Sequence, residues 1–237
     1  MNQVTYAFPP AARPSAVIHG SGGHFPIHRI YCVGQNYADH AREMGSDPQR
    51  EPPFFFSKPA DAYLLADGTA AVPTAVAYPS RTTDLQHEIE LVVALGRGGS
   101  NIAVANAATH VFGFAVGVDL TRRDLQKIAK DRGRPWDTSK GFDQSAPVSA
   151  IHPVQQTGWP ERGAIWLKVN GELRQQGNTQ AMIWNISEII AELSTLYCLL
   201  PGDLIFTGTP SGVGPVQRGD LLQGAVEGIA TVAFRIE

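Results

Sequence analysis

The sequence predicts one strand-dominated α+β domain, and three observations predict it. Gly 24 and Pro 17 among 237 residues favour many turns and short strands over long helices. Residues 87–95 alternate with the period of two that a strand requires. The pair Asn170-Gly171, between residues 165–169 and residues 172–174, is the signature of a two-residue hairpin turn. With 43% hydrophobic residues the chain is long and apolar enough to bury a sizeable core.

Taken in order, residues 1–28 are poor in pattern and read as an N-terminal arm ahead of a catalytic part, 29–237. His19, His24 and His28 fall in this arm as loop histidines without ligand spacing. An apolar run at 30–33 is followed by Gly34, and Asn36 is placed to cap a short helix, 37–44, closed by Gly45. Phe54-Phe55-Phe56, between Pro53 and Pro59, predicts a short buried strand. In the strand at 87–95, Ile89, Leu91, Val93 and Leu95 share one face; Glu88, Glu90, Val92 and Ala94 share the other. A second strand at 111–119 puts Phe112, Phe114, Val116 and Val118 opposite a face of Gly113, Ala115, Gly117 and Asp119. Thr121 and Asp124 resemble a capping box opening a helix that Gly133 ends. Ser187 opens a further helix with the apolar stripe Ile189, Ile190 and Leu193. Short strands are expected at 204–206, 221–222 and 230–234, entered through the similar turns Gly202-Asp203 and Gly219-Asp220.

Composition excludes several classes of function. A net charge of −3 without a basic run argues against nucleic acid as partner. No stretch approaches the ~18 apolar residues of a membrane span, and the N-terminus lacks the pattern of a signal peptide. Cys32 and Cys198, each among apolar neighbours, read as buried thiols of a reducing cytoplasm. There is no P-loop, no G-x-S-x-G elbow and no H-E-x-x-H. The Gly-rich run 208–214 has no phosphate-binding lysine and reads as turn chemistry.

Three carboxylates are the most informative residues. Strand periodicity points Glu88 and Glu90 to one side, and Asp119 ends a face emptied to small residues that leave room for an ion or ligand. Without cysteine, such a set suits a hard divalent cation, Mg²⁺ or Mn²⁺. A solvated strand edge explains the same pattern. His40 and Glu43, at i and i+3, share a helix face, where the carboxylate would fix the imidazole as a general base; an exposed ion pair is the plainer reading. Lys140, in a Gly- and Ser-flanked loop, would either steady a developing enolate or lie in solvent.

In combination these segments resemble the fumarylacetoacetate hydrolase family. The run Gly34-Gln35-Asn36-Tyr37-Ala38-Asp39-His40-Ala41-Arg42-Glu43-Met44 is similar to the family's lid helix. Phe55-Phe56-Ser57-Lys58-Pro59, His87-Glu88-Ile89-Glu90-Leu91, Asp119-Leu120-Thr121-Arg122-Arg123-Asp124, Lys140-Gly141-Phe142-Asp143 and the segment from Gly202 to Gly214 follow in the family's order. The resemblance implies a mixed β-sandwich roll, a homodimer and a small-molecule acylpyruvate substrate. It implies Glu88, Glu90 and Asp119 as ligands of Mg²⁺ or Mn²⁺, Lys140 as the catalytic lysine, and His40 and Glu43 as the dyad that activates water. It places Arg123, Gln126 and Thr209 at the substrate's keto-acid end, with Lys58 lining the site; Arg122 or Arg123 suits a distal carboxylate. Glu51-Pro52-Pro53-Phe54-Phe55-Phe56, Arg122-Arg123, residues 163–167 and Val226-Glu227-Gly228 resemble the members that hydrolyse fumarylpyruvate in gentisate-type aromatic breakdown. Gln35 stands where many relatives carry Arg. Oxaloacetate decarboxylation, general acylpyruvate hydrolysis and dienoate isomerisation would use the same metal–enolate site, and a metal-stabilised binding protein would differ by damage to the dyad, ligands or lysine.

Overall fold

The computed structural model describes residues 5–43 and 51–237. Its centre is a sheet in which Ile89–Leu95 pairs antiparallel with Val111–Val118 on one side and with Leu204–Phe206 on the other. Ile30–Val33 joins parallel to Leu204–Phe206, Phe55–Lys58 closes that edge, and Ala146–Val148 and Tyr63–Leu65 close the opposite one. A second sheet runs Glu172–Asn178, Ala164–Val169, Leu221–Val226, Ala230–Ile236 and Thr74–Val76. The strand-dominated α+β class is observed.

The alternation along residues 89–95 explains the packing. Ile89, Leu91, Val93 and Leu95 join Ile165, Leu167, Leu222 and Phe234 in a core shared with the second sheet. Val92 and Ala94 pack on the reverse face with Cys32, Ala115, Phe206 and, from the N-terminal hairpin, Ala16, Phe25 and Ile27. The strand is thus buried on both faces, and the solvated face that periodicity allowed does not exist.

The expected hairpin forms at Asn170-Gly171, both residues taking positive φ (52° and 84°), as a turn matched to strand twist demands. Gly202 and Gly219 also adopt positive φ (99° and 92°), so the two similar turn entries are real. Ile189, Ile190 and Leu193 are buried as expected.

Several local expectations are corrected. Residues 87–95 are not one strand: Leu85–His87 belongs to a small sheet with Thr121–Arg122 and Gly214–Val216, and Glu88 is where the chain passes between sheets. The emptied face of Val111–Val118 is not open. A Cβ on Gly117 would lie 2.7 Å from the Phe206 ring, and one on Gly113 would meet the His152 backbone, so glycine admits neighbours there rather than an ion. Phe55 and Phe56 are half-buried and Phe54 is exposed, because this edge faces a cavity. Thr121 does not cap the Arg123–Asp131 helix; its hydroxyl faces Glu88, while Asp124 accepts from Thr82 and Thr83. Cys198 is exposed, and only Cys32 is a core thiol. His28 is not a free loop histidine, since its Nδ1 lies 2.7 Å from buried Asp203.

The Ile186–Leu196 helix is opened by Asn185 rather than Ser187. Asn185 accepts from the Glu188 N–H while Glu188 accepts from the Asn185 N–H, completing a capping box. Asn185→Ala is expected to cost about 1 kcal/mol, read as a lower melting temperature. Among the described residues, no helix is long and apolar enough to cross a membrane.

Candidate active site

Sheet register assembles the carboxylates. Glu90 stands opposite Gly117 and Ile89 opposite Val118, so Asp119, whose N–H donates to the Glu88 carbonyl (2.8 Å), falls beside both glutamates. All three side chains are buried, with ligand oxygens within 4.8 Å of one another. Lys140, buried at the end of the Asp137–Lys140 helical turn rather than in a solvated loop, donates from Nζ to Glu88 Oε2 (2.9 Å) and Asp119 Oδ2 (2.7 Å). Lys58 Nζ lies 2.7 Å from Asp119 Oδ1 and donates to the carbonyls of Leu120 (3.1 Å) and Lys140.

The charges in this cluster are unequal. Burial pushes the Glu88 carboxyl up, but the cations of Lys140 and Arg123 outweigh it and hold the group well below the ordinary carboxylate range. Glu90 accepts from the Gly208 N–H (2.6 Å) and has no ion pair among the described residues. Burial raises its carboxyl strongly, and the negative charges of Asp119 and Glu88 raise it further. Burial lowers Lys140, but Asp119 and Glu88 more than restore it, so the ammonium stays charged. Asp119 Oδ1, though buried, has no partner in hydrogen-bond geometry. Three converging buried carboxylates, Glu90 among them without an ion pair, offer acceptor-only oxygens that fit a hard divalent cation, Mg²⁺ or Mn²⁺.

A cavity opens above the triad, lined by Glu88, Glu90, Lys140, Arg123, Gln126 and Thr209 on its floor and sides. His40 faces it from the Ala38–Glu43 helix. Its Nδ1 is 3.2 Å from Glu43 Oε2, and the Glu43 carboxylate also accepts from the Gly212 N–H (3.1 and 3.2 Å). An ionised carboxylate only accepts, so the proton belongs on Nδ1 and the Nε2 lone pair is left for chemistry. Asn36 is not this helix's cap. Its side chain donates to the carbonyls of Trp184 (2.9 Å) and Thr207 (2.8 Å) and accepts from the Trp184 N–H (2.8 Å), pinning the chain that leads into the helix. Met44 and Gly45, expected to close the helix, lie outside the described residues.

The structure brings together ten of the eleven residues singled out from sequence. Arg123 spends its guanidinium on Glu88, Gln86 and Gln126, and Thr209 donates to the Ile89 carbonyl (2.7 Å). Arg122 is the exception. Its guanidinium lies over the Phe142 ring (4.5 Å) and donates to the Thr138 carbonyl (3.2 Å), away from the cavity, because consecutive residues entering a helix point in different directions. Gln35 lines the cavity, as do Phe54, Phe56 and Trp136, the two phenylalanine rings lying 5.7 and 5.5 Å from that of Trp136.

Some contributors escaped sequence reasoning. Gln175, on an otherwise exposed strand, is completely buried. It accepts from the Ile89 N–H (3.0 Å) and donates to Thr209 (2.8 Å) and the Pro210 carbonyl (2.9 Å), joining the two elements that flank Glu90. Gly208 and Gly212 act through backbone N–H groups, with φ of 99° and 94°; only the density of glycine in residues 208–214 hinted at this.

Fold and site together define an enzyme with a carboxylate metal centre under a histidine–glutamate dyad. The chain belongs to the fumarylacetoacetate hydrolase family, whose "Fumarylacetoacetate (FAA) hydrolase C-terminal" profile matches residues 29–237. It is 45% identical over 190 residues to a fumarylpyruvate hydrolase of Ralstonia sp, covering 80% of this chain and 95% of that protein. It is 43% identical over 208 residues to a mitochondrial oxaloacetate tautomerase of Bos taurus, covering 88% and 91%. The crystal structure of fumarylpyruvate hydrolase from Pseudomonas aeruginosa in complex with Mn²⁺ and pyruvate superposes with a TM-score of 0.95 at 49% identity, covering 98% of this chain and 99% of that one.

Proposed function

We propose that the protein is a divalent-metal-dependent hydrolase that cleaves the carbon–carbon bond of an acylpyruvate, with fumarylpyruvate as substrate and fumarate and pyruvate as products. The observation that carries this reading is the His40–Glu43 dyad facing the buried Glu88–Glu90–Asp119 centre across one cavity. The Mn²⁺ and pyruvate of the Pseudomonas aeruginosa structure support it.

Glu88, Glu90 and Asp119 would hold the Mg²⁺ or Mn²⁺, which when bound supplies positive charge for the keto-acid oxygens. His40, oriented through Nδ1 by Glu43, takes a proton from water at Nε2. The hydroxide adds to the acyl carbonyl remote from the pyruvyl carboxylate, and the bond from that carbon to the adjoining methylene breaks. The electron pair passes to pyruvate enolate, beside the charged Lys140, and the imidazolium returns the proton to the methylene carbon. Phe54, Phe56 and Trp136 provide an aromatic wall for the unsaturated acyl chain. The proposal extends to a homodimer in the cytoplasm serving aromatic-ring breakdown, supported by the family's pattern and checked by light scattering for the oligomer.

The test is loss of fumarylpyruvate absorbance with Mg²⁺, with Mn²⁺ and after EDTA, beside oxaloacetate and acetylpyruvate. Rapid, chelator-sensitive decay to fumarate and pyruvate is expected. Consumption of oxaloacetate without cleavage of fumarylpyruvate would overturn the substrate while leaving the metal centre.

A further inference from the structure

The substrate of the hydrolysis just described carries a second carboxylate at the far end of the fumaryl chain, and both arginines suggested by sequence are engaged elsewhere. Arg122 is stacked on Phe142 outside the cavity, and each of the three guanidinium nitrogens of Arg123 is engaged, Nε by Gln86, Nη1 by Gln126 and Nη2 by Glu88. Lys58 and Lys140 are committed to the carboxylate centre. Among the described residues one cation on the cavity wall remains, Lys130, whose side chain makes no ion pair or hydrogen bond there.

Its position follows from helix geometry. Arg123, Gln126 and Lys130, at i, i+3 and i+7 of the Arg123–Asp131 helix, form one stripe facing the cavity. Arg123 stands at the floor against Glu88, Gln126 is buried above it, and Lys130 is exposed at the rim. Seven residues of helix rise roughly 10 Å. An extended seven-carbon diacid spans roughly 8 Å between its end carboxyl carbons. A substrate with its keto-acid end at the floor therefore brings its far carboxylate to the level of Lys130, having run past the aromatic wall of Phe54, Phe56 and Trp136.

We propose that Lys130 binds the distal carboxylate and is the residue that selects dicarboxylic acylpyruvates over neutral ones. The inference rests on the acylpyruvate reading for the orientation of the substrate. A flexible ammonium at a cavity rim pairs with a carboxylate without needing the fixed fork of an arginine, and Gln35, which also lines the cavity, is neutral, so that Lys130 is the charge that discriminates.

The test compares kcat/KM for fumarylpyruvate with that for acetylpyruvate in the wild type and in K130Q, K130E and K130R. The ratio is expected to fall about tenfold in K130Q, through KM for fumarylpyruvate, further in K130E, and to be largely rescued in K130R. An unchanged ratio in both K130Q and K130E would overturn the assignment. Calorimetry on the Mn²⁺-loaded protein separates this from failure of the reaction itself. It uses a saturated seven-carbon 2-oxo diacid, which cannot be cleaved, and its far-end methyl ester. Preference for the free acid that disappears in K130Q supports Lys130 even if fumarylpyruvate is not cleaved. Equal binding of acid and ester by the wild type, or a preference that survives in K130Q, refutes it.

Discussion

Asp119→Asn is expected to remove turnover by at least a thousandfold and to lower the melting temperature even in EDTA. Asp119 does two jobs. Its oxygens belong to the proposed metal centre, and they are also the shared counter-ion of Lys58 and Lys140, both ammoniums being buried. The amide keeps the shape but removes the charge, leaving Lys58 with no carboxylate and Lys140 with Glu88 alone. Breaking a buried pair from one side costs about 3–5 kcal/mol, because the abandoned charge is not rehydrated. For a chain of this size that corresponds to a fall in melting temperature of roughly 10 °C.

Glu90→Gln provides the contrast. Glu90 has no cation partner among the described residues, and its bond from the Gly208 N–H suits an amide oxygen as well as a carboxylate. The metal-free variant is therefore expected to melt within about 2 °C of the wild type, since no buried charge is abandoned, while losing turnover as completely as Asp119→Asn. Calorimetric melts in EDTA, with turnover in Mn²⁺, check both variants. Equal destabilisation by the two substitutions would show that the centre is held together by its carboxylates alike and would remove the distinction drawn here.

What was legible in the sequence was largely what local periodicity and turn chemistry determine. The Asn170-Gly171 turn needs no tertiary partner to be recognised, and alternation along residues 89–95 sorted the side chains correctly between two faces. Whether a face meets water is a different matter, since Val92 and Ala94 read equally well beside solvent or beside Phe206. Capping failed where a tertiary partner outbid the local one: Thr121 turns to Glu88, and Asn36 to Trp184 and Thr207. The ordered motifs picked out the three carboxylates that cluster, the His40–Glu43 pair and Lys140, but not their surroundings. Gln175 is a polar residue on a strand whose neighbours are exposed, and nothing in its local pattern distinguishes it from them. The Gly208 and Gly212 N–H groups are backbone, available to any residue. Their selection depends on positive φ and on what approaches them, which a Gly-rich stretch advertises only as a turn.

His40→Ala is expected to lower kcat for fumarylpyruvate about 10²- to 10⁴-fold, the usual weight of a positioned general base. On the proposed mechanism the loss should fall on kcat rather than KM, because His40 would meet water, whereas the keto-acid end would be held by groups on the cavity floor. Glu43→Gln divides the role further. Its amide oxygen can still accept from Nδ1 or from the Gly212 N–H, so the imidazole keeps its place, but the charge that stabilises the imidazolium is gone. A smaller fall in kcat than for His40→Ala is expected. Decarboxylation of oxaloacetate needs no water-derived hydroxide at the scissile carbon, so any such side activity should survive His40→Ala better than hydrolysis does. Steady-state kinetics on both substrates decide this: parallel loss of the two activities would assign His40 to holding the substrate or the lid segment, and the base would have to be sought elsewhere in the cavity.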